Sequence, residues 1–179
     1  MSFNLNLFTT PAIALILVLW GYFYFKKKVG GHPFYHKYLT LIGSQAFFLN
    51  WGWEVAQGPL YQDFDYNPVS ISFCALASVA DMLMVYVLLF GFGLIYKDVY
   101  WLQKLTGARI FLLVLVGGTG AILAEIRHTS SGNWYYADAM PLLPMVGVGL
   151  SPVLQFTLLP VLIFWLTGKL LPKTKPKNS

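Results

Sequence analysis

Charge is what this 179-residue chain has least of: charged residues make up 11%, and only 7 are acidic. An ordinary soluble domain carries roughly 25%, so a water-solvated globular surface of usual composition is excluded. Cysteine is scarcer still. The single Cys74 cannot close an intrachain disulfide, and one thiol in an apolar segment suits a buried packing role better than catalysis. A nucleophile elbow, a phosphate-cradling glycine loop, a zinc-protease helix and a two-cysteine motif are all missing. No heptad, fixed-period repeat or separate soluble segment is visible either. Any function is therefore built from apolar segments and the loops between them.

Apolar residues are 57% of the chain and aromatics 17%. They fall into five blocks, 11–25, 38–58, 69–96, 109–126 and 145–168, each near the ~20 residues that cross a ~30 Å hydrocarbon core. The expected fold is an all-α integral membrane bundle of five transmembrane helices. It forms one domain over 1–171, with 172–179 as a flexible basic tail. The first block has no positive residue ahead of it and no small-x-small cleavage site behind it, so it reads as a retained helix and not a signal peptide.

Basic residues set the orientation, because Lys and Arg accumulate in cytoplasmic loops. Lys26, Lys27, Lys28 and Lys37 separate blocks one and two. Lys97, Lys104 and Arg109 separate blocks three and four, and Lys169, Lys173, Lys175 and Lys177 follow block five. A five-helix chain puts all three groups on one side, which places the N-terminus outside and the C-terminus in the cytoplasm. The formal charge of +5 is then a topology signal with some attraction to anionic headgroups. A nucleic-acid surface, which needs basic residues on a folded soluble face, is not expected.

Polar residues inside the apolar blocks carry the functional signal, since an unpaired acid in hydrocarbon is costly to keep. Asn50, Glu54 and Gln57 recur at spacings of four and three, which aligns them on one helical face. Trp51 and Trp53 flank them, and Gly58-Pro59 ends the segment. Cys74, Ser78 and Asp81 repeat the spacing in block three, with Asp81 about 18 Å along the helix at ~1.5 Å per residue. Block four offers Gly117, Gly118, Gly120 and Ala121 for close helix approach before Glu125, followed by Arg127 and His128. Block five is expected to begin with Gly147 and Gly149, and its Pro152, Gln155 and Pro160 suit a kinked helix facing a polar pocket. The loop before it holds Trp134, Tyr135 and Tyr136, suited to an interface belt or a lid.

The expected catalytic acids are Glu54, Asp81 and Glu125. Asn50, Trp53, Gln57, Arg127, His128, Trp134, Tyr136 and Gln155 are the expected substrate contacts. Against this, buried amides also serve as interhelical hydrogen-bond glue, and Glu125 with Arg127 reads equally as an interfacial ion pair. His32 and His36 lie across the bilayer from His128, so the three cannot share a metal. No metal or cofactor is expected.

Asn50, Trp53, Glu54, Gln57, Pro59, Leu60 and Tyr61 form one motif. Trp134, Tyr136, Met140, Pro141, Leu143, Pro144, Gly147, Gly149, Leu150, Ser151, Pro152, Leu154 and Gln155 form a second. With these two motifs the chain resembles a family of small polytopic bacterial membrane proteins. That resemblance implies a bacterial cytoplasmic membrane and no particular activity. In helix number and buried acids, though not in motif, the chain is also similar to the five-helix sterol isomerase and sigma-2 receptor group.

The leading expectation is a multi-pass protein that binds a lipid-soluble small molecule of the isoprenoid kind. Its buried carboxyls would catalyse acid–base isomerisation, cyclisation or hydration. Alternatives are a proton-linked small-molecule carrier and an accessory or assembly subunit of a membrane complex. The expected partners are membrane lipids, the small molecule, and a second copy or another membrane protein.

Overall fold

The computed structural model describes residues 8–31 and 33–171; His32 and the tail at 172–179, including Lys173, Lys175 and Lys177, lie outside them. The described residues form five long helices: α1 (Thr9–Lys28), α2 (Pro33–Gln57), α3 (Pro68–Ile95), α4 (Gly107–Ser130) and α5 (Leu150–Leu170). Four of them, α1, α3, α4 and α5, are long and apolar enough to cross a membrane. Among the described residues every named element is helical, and the four apolar helices are compatible with an integral membrane protein. The expected second spanning block is the exception. At 25 residues α2 has the length, but Lys37, Gln45, Asn50, Glu54 and Gln57 dilute its apolar character.

Local chemistry explains most of the boundaries. Asn67 Oδ1 accepts from the backbone N–H groups of Val69 and Ser70 at 3.0 and 2.9 Å, and Pro68 follows it, so α3 starts with a capped first turn. Thr106 caps α4 through Arg109 N at 3.4 Å. Lys26, Lys27 and Lys28 fill the last turn of α1, where cations oppose the partial negative charge of a helix C-terminus. One boundary differs from expectation: α5 starts at Leu150, not 145. Met145 and Gly147 hold φ values of 71° and 66°, left-handed conformations that an α-helix cannot contain. They turn a tight hairpin in which Leu142 pairs with Gly149 and Leu143 N donates to Val148 O at 2.8 Å. Gly147 and Gly149 thus belong to the loop.

Packing runs in the order α1, α3, α2, α5, α4, each helix against the next. One end of this bundle is basic and closely sewn. Lys28 Nζ donates to Lys97 O, Tyr38 OH to Val99 O, and Trp101 Nε1 to Leu89 O, all at 2.8–3.0 Å. The largest apolar core gathers there, around Tyr35, Tyr38, Ile42, Leu89, Trp101 and Phe164. At the opposite, aromatic end, Tyr61 bridges to Tyr136, Gln62 N donates to Tyr135 O at 3.0 Å and Ala137 N to Leu60 O at 2.9 Å. This pins the loop after α2 to the loop before α5, so the aromatic segment is a fixed cap. Between the two ends lies the polar residue set.

Candidate functional site

The centre is an amide lattice. Asn50, Glu54 and Gln57 share a face of α2, Ser151 and Gln155 sit one turn apart on α5, and Asp81 comes from α3. Gln155 Nε2 donates to Asn50 Oδ1 at 2.9 Å and to Asp81 Oδ2 at 3.1 Å, while its Oε1 accepts from Gln57 Nε2 at 3.0 Å. Gln57 also donates to Glu54 Oε1 at 2.8 Å and accepts from Trp53 Nε1 at 3.2 Å and Ser151 Oγ at 2.8 Å. A carboxamide has two donors and two acceptor sites, so Gln57 is saturated. Asn50 Nδ2 turns back to Ala46 O at 2.7 Å. Rotamers held from this many directions are rigid.

The carboxyls of Glu54 and Asp81 are in hydrogen-bond contact with each other. Such a contact needs one proton between them, because two carboxylates have acceptors only. Their surroundings differ from those of the amides. Asn50 and Gln155 are 1% exposed and Gln57 5%, whereas Glu54 and Asp81 are half-buried. The acids are the less buried members of the polar lattice.

A second cluster sits nearer the aromatic end. Glu125, 6% exposed, accepts at Oε2 from the Tyr136 hydroxyl and from Trp134 Nε1 at 3.3 Å. Trp134 stacks on His128 with ring centroids 4.3 Å apart. Asn133 Nδ2 lies 2.8 Å from His128 Nδ1, which a neutral ring carrying its hydrogen on Nε2 accepts. Tyr61 packs against both Trp134 and Tyr136 and stands between the two clusters. Its hydroxyl is pushed well above the usual range by burial first, then by the carboxylates of Glu125 and Glu54. Tyr136 is pushed up by burial and by its hydrogen bond to Glu125.

The structure therefore brings Asn50, Trp53, Glu54, Gln57, Asp81 and Gln155 into one network, with Glu125, His128, Trp134 and Tyr136 in an adjacent one. Arg127 is in neither: its Nη1 donates to Thr10 Oγ1 on α1 at 2.9 Å. The alternative reading of Glu125 and Arg127 as an interfacial ion pair gives way to Trp134 and Tyr136 as the partners of Glu125, because residues two apart on a helix face different directions. Among the described residues no group of three or more His, Cys, Asp and Glu is placed to hold a metal ion. Tyr61 and Ser151 are participants that the candidate set omits. Both belong to the two sequence motifs, which was the available signal for them. Comparison with protein-family models, curated proteins and solved structures finds no match.

Proposed function

We propose that this protein performs acid–base chemistry on a lipid-soluble small molecule at the Glu54–Asp81 pair. The supporting observation is the difference in burial: Asn50, Gln57 and Gln155 are buried, and the two acids bonded to them are less so. A carboxyl pair inside an apolar bundle is expensive unless something polar or reactive meets it. In the simplest reaction the protonated carboxyl gives its proton to one alkene carbon. The other alkene carbon becomes cationic, and the neighbouring carboxylate removes a proton from the carbon on its far side, shifting the double bond with no co-reactant. An isoprenoid provides such an alkene, and cyclisation or hydration starts from the same cation. Trp53, next to Glu54 in the chain and bonded to Gln57 at 3.2 Å, would offer an aromatic face to the developing charge.

This reading includes α2 as a fifth spanning helix, because it packs between α3 and α5 and buries Asn50, Gln57 and Ala46 there. The basic loops, joined through Lys28 and Lys97, form the cytoplasmic end, and the N-terminus is outside. A bacterial cytoplasmic membrane and the family likeness carried by the two motifs belong to the same proposal. The test compares extractable lipids and pigments, by mass spectrometry, from cells producing wild type, Glu54→Gln, Asp81→Asn or no protein. A species that depends on wild type and disappears in both variants supports the reading. Identical profiles in all four would refute it.

A proton-linked carrier is the second reading. Tyr61 lies within electrostatic reach of Glu125, Glu54 and Asp81, which suits acids that pass a proton between the aromatic end and the bundle's middle. Uptake into proteoliposomes that follows a pH gradient, with no altered lipid, would favour it.

A further inference from the structure

We propose that a groove between α1 and α3 binds an anionic phospholipid of the bilayer. The groove, about 140 Å³, lies between α1 and α3, with Ile13, Ala14 and Leu17 on one wall and Met84 and Val87 on the other. Thr10 and Arg127 line it too, so a cation from α4 marks one end of an otherwise apolar channel. The volume is on the order of one that takes a benzene-sized apolar group, enough for a short stretch of acyl chain. Ile13 and Leu17 are about half exposed, at 54% and 48%, so the groove opens sideways, where bilayer chains are found.

Charge complementarity selects the occupant. Arg127 is exposed, and Nη1 donates to Thr10 Oγ1, which anchors the guanidinium at the groove's end. The remaining donors of its planar fork match two phosphate oxygens. Glu125, the acid nearest in sequence, is held by Tyr136 and Trp134 and does not compete for that charge. A molecule with an anionic phosphate and an apolar tail satisfies both parts of the site. Thr10, by fixing Arg127, ties α4 to α1, the two ends of the packing order. A lipid held there would strengthen that closure.

Native mass spectrometry of the full chain, released from detergent with equal phosphatidylglycerol and phosphatidylcholine, tests the proposal. Wild type retains phosphatidylglycerol in preference by about tenfold, equivalent to ~1.4 kcal/mol. Arg127→Gln abolishes the preference and Arg127→Lys keeps part of it. Ala14→Leu fills the groove and lowers retention with the charge intact. Inorganic phosphate, which has the head chemistry without a tail, does not displace the lipid. Equal retention of the two lipids by wild type, an undiminished preference in Arg127→Gln, or displacement by phosphate would each overturn the assignment. None of these results depends on what the Glu54–Asp81 pair does.

Discussion

Gly117 on α4 faces the carbonyl oxygen of Phe156 on α5 so closely that a Cβ at position 117 would overlap it. That carbonyl is the one Pro160 deprives of its intrahelical donor, four residues on. A freed carbonyl inside a bundle needs another neighbour, and only a residue without a side chain lets a facing helix come this near. The proline on α5 and the glycine on α4 are thus two halves of one contact.

Replacing Gly117 by Ala therefore destabilises the bundle by about 1–3 kcal/mol, the usual cost of overpacking, despite alanine's higher helix propensity. Gly120, with open space around its Cα, is the control: Gly120→Ala is neutral or gains up to ~1 kcal/mol. Unfolding midpoints in mixed micelles distinguish the two. Equal effects would show that α4 and α5 separate freely.

Gln155→Leu removes the bonds to Asn50, Asp81 and Gln57 at once. Interhelical hydrogen bonds in membranes average ~0.6 kcal/mol, so a loss of about 2 kcal/mol is expected in the same unfolding assay. A loss below ~0.5 kcal/mol would mean that the lattice re-pairs without its central amide.

Alkaline pH weakens the aromatic end. The Tyr136 hydroxyl is raised above its usual 10.0 by burial and by Glu125, so folding favours the neutral phenol. That stabilisation is complete below pH ~10 and is lost as pH rises further, toward the folded-state value. Stability measured at pH ~9 and ~11 should fall, and Tyr136→Phe should flatten the fall. Tyr61, shifted in the same direction, leaves a residual slope. An unchanged slope in Tyr136→Phe would remove Tyr136 as a contributor.

Helical spacing made much of this legible from sequence. Asn50, Glu54 and Gln57 share a face because 3.6-residue periodicity demands it, and the start of α3 follows from Asn67 and Pro68. Long-range pairing was not legible: nothing local says that Gln155 meets Asn50, 105 positions away. α5 starts at Leu150 and not at the expected 145 because Met145 takes a left-handed conformation, which is uncommon for a side chain of its kind. Tyr61 escaped because it follows the helix end, where periodicity stops giving directions. Arg127 was drawn to the acids by sequence proximity, while helix geometry turned it toward Thr10.

The contact between Glu54 and Asp81 makes a spectroscopic prediction that needs no substrate. One proton shared by two carboxyls gives a single protonated-carboxyl band in the infrared that shifts on exchange into heavy water. In Glu54→Gln or Asp81→Asn the amide N–H can donate to the remaining carboxylate, so the fold survives and the protonated band disappears. Gln57 still supports position 54 through a 2.8 Å bond, and Gln155 still supports position 81 through a 3.1 Å bond, which keeps each variant's geometry close to wild type. Loss of the band in both single variants would show that the proton belongs to the pair. Its persistence in one of them would assign the proton to the other carboxyl alone, leaving the double-bond shift without an acid and base side by side.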